Sequence, residues 1–474
     1  MLYISTRGHK KKLTFSEAVL KSLADDGGLY VPLQLPNFDK KLLKQGHELS
    51  LIDFAIELLT PFMADDDIFK EKEADNFLRI ALKKSLAIFE YHIEHDWQPI
   101  YKNIWSLELF YGDTLSFKDV AMQFLRSLFD YILAKHGKQI TILVATSGDT
   151  GSAAIHAFHR SPAVRVVVFH PMDKISYFQR KQMTTIDDKH IHNIAIRGSF
   201  DDCQEIVKQL LASEDMATRY HFSAVNSINW ARILMQMVYH ARAAVLLQHK
   251  NKKPINIVVP SGNFGNMLAA YYVRKVGFPI EKLLVATNEN DVLCRFFSQN
   301  KMVIEKVKAT HSPSMDIQVA SNLERYLYDL FNCDTNLLKE KMSSFKTNGA
   351  LILSCSEFEQ AQKDFSAICI SNHHNLQAIK NWFDKTKKCF DPHSAIALAA
   401  LENYLADNAS LTDTTWLCLA TADPRKFASV IEQAKLPVPK FDDKLKKMLQ
   451  LPEKFTVLDN DMSAVKNYFA KHLI

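Results

Sequence analysis

The chain has 474 residues, 58 Lys plus Arg against 53 Asp plus Glu, a formal charge of +5 and 47% hydrophobic residues. Such a length and balance describe a globular chain of roughly two to four domains and exclude general disorder. Glycine numbers only 13, well under the roughly 7% of an average chain, which excludes collagen-like, Gly/Ser-linker and low-complexity architectures and means that closely spaced glycines need a local reason.

Residues 1–95 read as mostly helical, with Phe15, Val19 and Leu23 at helical spacing ahead of Gly27-Gly28, which would close that helix. Short β-branched runs then alternate with helices: ITILVAT (140–146), VRVVVFH (164–170), HNIAIRG (192–198), INIVVPSG (255–262), KLLVATN (282–288), ALILSC (350–355) and WLCLATA (416–422). Most are unbroken apolar runs, the pattern of strands buried on both faces of a parallel sheet. Residues 201–213 are predicted as a helix with Asp201 as N-cap, and residues 264–276 as a helix stopped by Gly277. The alternation predicts an open α/β sheet, or two. The last 40 residues, with Pro437, Pro439 and Pro452, read as short helices wrapping the surface.

Several classes of function lose their support. No apolar run approaches the roughly 18 residues of a membrane span, and the opening MLYISTRGHKKK has no apolar stretch behind its basic residues, so no secretory signal is expected. Lys10–Lys12, Lys252-Lys253 and Lys387-Lys388 are short, scattered runs that suit solvated faces rather than a nucleic-acid track. The seven cysteines are far apart with no CxxC, as expected of buried small hydrophobes in a reducing cytoplasm. GxGxxG, GxxxxGK, HExxH and GxSxG do not occur. His190/His192 and His92/His95 offer two nitrogens each without a third ligand nearby, so no metal is expected.

Three segments carry chemistry. In LELFYGDTLSFKDVAMQFL (107–125), Lys118 stands at the threshold of an apolar helix, where desolvation and the positive helix end both favour the neutral amine that Schiff-base chemistry requires. A surface lysine in a first helical turn would leave the same pattern. In ILVATSGDTGSAAIHAF (142–158), a strand runs into Thr146-Ser147-Gly148-Asp149-Thr150-Gly151 ahead of a helix; such a loop can aim backbone N–H groups and hydroxyls at a carboxylate or phosphate. Asp149 or Thr150 as a plain N-cap accounts for the same residues. In INIVVPSGNFGNMLAAYYV (255–273), Ser261-Gly262-Asn263-Phe264-Gly265-Asn266 forms a second such loop, or a plain strand-to-helix turn. Two anion cradles at strand carboxyl ends and an aldehyde-reactive lysine suit pyridoxal phosphate plus an amino acid.

The ordered set of Tyr3 to Gly8, Asp26 to Pro32, Leu115-Ser116-Phe117-Lys118-Asp119, Thr146 to Gly151, Lys174-Ile175-Ser176, Asn226 to Asn229 with Arg232, Ser261 to Asn266, Ser312 to Asp316, Asp391-Pro392-His393 and Thr421 to Pro424 resembles the threonine synthases. These are fold-type II pyridoxal phosphate enzymes, and the likeness is to their bacterial and fungal branch. It implies two open, mostly parallel α/β lobes of the tryptophan synthase β kind with a mainly helical N-terminal domain. The division expected is 1–95 for that domain, 96–135 with 226–435 for a larger cofactor-binding lobe, 136–225 for a smaller substrate-binding lobe, and 436–474 for a helical tail.

Carried over by position, the resemblance makes Lys118 the catalytic, cofactor-bearing lysine. It makes Gly262, Asn263, Phe264, Gly265 and Asn266 the cradle of the cofactor phosphate, and Thr421 the partner of the pyridine nitrogen. Thr146, Ser147, Asp149 and Thr150 would receive the substrate carboxylate, and Lys174, Asn226, Ser227, Asn229 and Arg232 would contact substrate or phosphate. Asn266 stands where the family often has Asp, and Asp423 where His is usual. His393 also reads as incidental, following an Asp391 N-cap and Pro392 at the first helical position. The reaction implied is O-phospho-L-homoserine plus water to L-threonine plus phosphate, in a cytoplasmic monomer or weak homodimer with no nucleic-acid or membrane partner. A plant-type N-terminal extension is missing, so activation by S-adenosylmethionine is not expected. A phospho-lyase making 2-oxobutyrate would share every motif, and a non-catalytic amino-acid-binding relative is the alternative from another class.

Overall fold

The computed structural model describes residues 1–94, 97–146 and 148–473. Two five-stranded sheets, parallel throughout, organise it. The first has the order Ser366–Cys369, Ile280–Thr287, Ile255–Pro260, Trp416–Ala420, Ile104–Glu108. The second has the order Thr456–Asp459, Ile191–Arg197, Val164–Pro171, Ile140–Ala145, Phe222–Ala224. All six interior strands coincide with apolar runs read from the sequence, and Ile255–Pro260 and Trp416–Ala420 are buried at every residue. Helices cover both faces, which is why these strands do not alternate.

One predicted strand is corrected. Within ALILSC only Ala350–Leu351 is extended, paired antiparallel with Met302–Val303. The chain then enters the helix Cys355–Asp364, because Ser354 and Glu357 form a reciprocal capping box that satisfies orphan N–H groups. The same device moves the cap of the helix Phe200–Ala212 from Asp201 to Ser199, which pairs with Asp202. The first helix, Phe15–Lys21, ends at Ser22 with φ 62°, before the glycines expected to close it. The helix Gly265–Lys275 does stop just ahead of Gly277, whose φ is +100°.

The N-terminal region pairs Tyr3–Ser5 with Tyr30–Pro32 and adds the helices Leu51–Met63 and Lys72–Glu94. It packs on Trp230–Asn251, a 22-residue helix buried on almost every side. The C-terminal segment is more than helical wrapping. Thr456–Asp459 joins the second sheet beside Ile194–Arg197, and the helix Met462–His472 buries Val465 and Phe469 next to it. Among the described residues, no helix is long and apolar enough to cross a membrane.

Candidate active site

Strand ends of both sheets open on one cavity, lined among others by Lys118, Asp149, Arg232, Gly262, His393 and Thr421. Lys118 is the first residue of the helix Lys118–His136. Its approach is fixed by the strand end opposite: Phe117 donates its N–H to the Thr421 carbonyl at 2.9 Å, and Ser116 bridges Ala422. Asp119 is held by the Thr114 N–H at 2.8 Å and the Thr114 hydroxyl at 2.6 Å, and burial raises its carboxyl to about 6. Lys118 Nζ donates to Asp149 Oδ2 at 3.0 Å. Burial pushes the Lys118 ammonium below its ordinary range; Asp149 opposes the shift and Lys426 adds to it.

The Thr146–Gly151 loop is built around a hydroxyl turned inward. Thr146 Oγ1 accepts from the N–H groups of Gly148 at 2.9 Å and Gly151 at 3.0 Å, so this side chain shapes the turn instead of facing a ligand. Gly148, at φ +143°, lies so close to Gln179 that an added Cβ would come within 2.5 Å of it. Ser147 lies outside the described residues. Thr150 lines the cavity. Asp149 opens the helix Asp149–Phe158 but caps nothing. Its Oδ1 accepts from Gln179 Nε2 at 2.8 Å and Lys426 Nζ at 2.7 Å, and its Oδ2 from Lys118 and from Ser314 Oγ at 2.9 Å. Burial alone would raise Asp149, yet Lys118 and Lys426 hold it well below the usual carboxylate range.

The second loop, Ser261–Asn266, ends in a helix N-terminus at the cavity. Phe264 has φ +61°, and its ring is buried near Phe297 and Phe365, so its side chain is an anchor for the loop and only its backbone serves the cavity. At Gly262 an added Cβ would lie 3.1 Å from Met315 Cα, so the facing backbone would have to give by a few tenths of an ångström. Asn266 Oδ1 accepts from Tyr239 at 2.9 Å and His240 Nε2 at 2.7 Å; burial lowers His240 to about 4, which leaves a neutral ring with its proton on Nε2. A neutral amide suits that pair of donors, and Asn266 Nδ2 is buried without a partner among the described residues.

Asn322 clamps the two loops that flank the cavity. Its Nδ2 donates to the carbonyls of Ser227 at 3.1 Å and Asn263 at 3.2 Å, while Oδ1 accepts from the buried Arg325 at 2.7 Å. In Asn322→Ala two carbonyls lose this donor and a buried guanidinium loses an acceptor. Ligand affinity should fall about tenfold, from a loss of about 1.4 kcal/mol, measured as the Kd of added pyridoxal phosphate.

The remaining substrate candidates separate. Ser227 and Arg232 line the cavity. Arg232 is 4% exposed, and its Nε and Nη1 have no partner among the described residues; burial brings its guanidinium down to about 10. Asn229 is not available to a ligand. Its Oδ1 caps the helix Trp230–Asn251 and its Nδ2 donates to Val19 O at 2.8 Å and Ser22 Oγ at 2.6 Å, tying down the N-terminal helix. Asn226 and Lys174 are exposed and outside the cavity lining. His393 is not incidental: Asp391 holds its Nδ1 at 2.8 Å and its Nε2 accepts from the Ser314 N–H at 3.3 Å, on the cavity wall. Asp423 caps the short turn Pro424–Phe427 and binds Arg425. Sequence reasoning missed Lys426 and gave no role to Ser314 within the run Ser312 to Asp316; the meaning of both lies in contacts with Asp149. His92 and His95 fall among side chains outside the described ones.

Three family models match the chain in order: "Threonine synthase N terminus" over residues 2–78, "Pyridoxal-phosphate dependent enzyme" over 100–336 and "Threonine synthase, C-terminal" over 394–469. The chain is 38% identical over 473 residues to the threonine synthase of Pseudomonas aeruginosa, covering 100% of this chain and 98% of that one. It is 36% identical over 512 residues to that of Saccharomyces cerevisiae, with the same coverages. The crystal structure of PLP-bound threonine synthase from Brucella melitensis superposes with a TM-score of 0.92 at 36% identity, covering 100% of this chain and 99% of that one.

Proposed function

The chain belongs to the threonine synthase family of pyridoxal-phosphate-dependent enzymes, and on that premise we propose that it converts O-phospho-L-homoserine and water to L-threonine and phosphate in the cavity where the two sheets meet, with Lys118 as the cofactor-bearing base. The observation that carries this reading is the meeting of a lysine lining the cavity, whose amine desolvation favours, with buried N–H groups that lack a partner among the described residues, on Arg232 and Asn266. Both kinds of group fit a phosphorylated aldehyde. Lys118 would hold its carbonyl carbon, the loop Gly262–Asn266 its phosphate at a helix N-terminus, and Thr421 its ring nitrogen. The bound cofactor supplies an electron sink for the pair left when the substrate Cα–H bond breaks.

The chain's own groups do the rest. Lys118, as a neutral amine, takes the proton at Cα and then stands over Cβ to move the second one. Arg232 receives the γ-phosphate oxygens; its Nε and Nη1, unpartnered among the described residues, give charge-assisted hydrogen bonds that strengthen as the phosphate leaves with both charges. Thr150 and the backbone of its turn orient the substrate carboxylate. The hydroxyl of Thr421, carrying no charge, leaves the ring nitrogen without an anion to stabilise its protonated form. Exposed Lys174 is left out of this arrangement.

Full-length identity with threonine synthases favours threonine over 2-oxobutyrate as product. With O-phospho-L-homoserine as sole substrate, threonine and inorganic phosphate should form in equal amounts. Phosphate accompanied by 2-oxobutyrate in place of threonine contradicts the proposal.

A further inference from the structure

Lys426 enters no motif read from the sequence, yet its side chain is fully buried, at 0% exposure, beside the site. Its Nζ donates to Asp149 Oδ1 at 2.7 Å and to the Thr114 carbonyl at 2.9 Å. Lys118 Nζ reaches the other oxygen of the same carboxylate at 3.0 Å and has no second oxygen acceptor among the described residues. Asp149 thus bridges two lysines, with Gln179 and Ser314 completing its four donors.

A buried carboxylate facing one ammonium forms a one-to-one pair that resists giving up the proton, since separation would strand a charge in low dielectric. Two ammonium groups on one carboxylate leave a positive charge in excess. The group that yields its proton is the one with fewer acceptors and a cationic neighbour, and that is Lys118, which also faces Arg232.

We propose that Lys426 is a positioning residue for this site: by claiming Asp149 Oδ1 it satisfies that carboxylate without Lys118 and so frees Lys118 to act as an amine. The charged groups around Lys118 are Asp149 from the helix Asp149–Phe158, Arg232 from the helix Trp230–Asn251 and, through Asp149, Lys426, while the titratable His393 lines the same cavity. Asp119, next in the chain, is occupied by Thr114. This inference deepens the reading of Lys118 as the cofactor lysine and rests on it.

The test uses the full chain freed of cofactor. Pyridoxal phosphate is added across a pH series and trapped with borohydride, and the pyridoxyl label on the Lys118 peptide is quantified against time. In Lys426→Met the pH midpoint of capture should rise by about one unit, so that capture below the midpoint slows about tenfold. Lys426→Arg should restore the wild-type profile, Asp149→Asn should lower the midpoint, and the double variant Asp149→Asn/Lys426→Met should lie nearer wild type than Lys426→Met does. A midpoint in Lys426→Met equal to or below wild type overturns the proposal. Should that variant fail to fold, a midpoint in Asp149→Asn that is not lowered overturns it instead. A wild-type chain that captures no label on Lys118 defeats the cofactor-lysine reading itself, a separate result.

Discussion

Lys118→Ala is expected to abolish covalent cofactor capture and to lower threonine formation by at least about 10³-fold, while the fold is retained. Two independent losses underlie that size. The carbon–nitrogen link to the cofactor has no other donor in the same place, because Lys426, the other lysine bound to Asp149, is held by Asp149 and Thr114 with its side chain fully buried. The base that moves protons at Cα and Cβ disappears with the same amine. Stability should change little or rise, since the substitution removes a cation that burial penalises and leaves Asp149 with Lys426, Gln179 and Ser314 as partners. The measurement is threonine formed per enzyme alongside a thermal melt. A variant with more than a few per cent of wild-type turnover contradicts the role.

Arg232→Met should show effects of opposite sign on stability and on binding. In the ligand-free chain the guanidinium is buried with Nε and Nη1 unpartnered, so a methionine of similar length removes a desolvated charge at no cost in hydrogen bonds. A gain of about 1–2 kcal/mol is expected, or a few degrees in Tm. Toward O-phospho-L-homoserine the same change removes charge-assisted donors, and KM should rise about 50- to 100-fold. An arginine with a purely structural role predicts the reverse on both counts: a lowered Tm with KM unchanged. The two readouts together therefore decide what Arg232 is for.

The fold was legible where burial was complete. Every interior strand of both sheets announced itself as a mainly apolar run, because helices on both faces leave few positions for polar residues. The four strands of these two sheets that escaped notice, Ile104–Glu108, Phe222–Ala224, Ser366–Cys369 and Thr456–Asp459, are their four edges. They are five residues or shorter, and Ser366 and Asp459 are polar groups that an edge accommodates. ALILSC misled for the opposite reason: its apolar start is real, but Ser354 and Glu357 cap a helix before the run can continue as a strand.

At the site, local chemistry could be read and long-range partnership could not. Lys118 at an apolar helix start and the two strand-to-helix loops follow from neighbouring residues alone. Lys426 acquires meaning from Asp149, 277 residues earlier, and nothing in the stretch Asp423 to Phe427 hints at that contact. Asn229 shows the converse. Its motif suggested a ligand contact, yet the amide is fully used in joining the helix Trp230–Asn251 to the N-terminal helix. Thr146 likewise spends its hydroxyl on its own turn.

The central claim is that the amine of Lys118, where the ends of the two sheets converge, carries the cofactor. Borohydride reduction of the pyridoxal-phosphate-loaded wild-type chain, followed by peptide mass mapping, tests it directly. The pyridoxyl mass is predicted on Lys118 alone; the label on Lys426, or on any other lysine, would contradict the account.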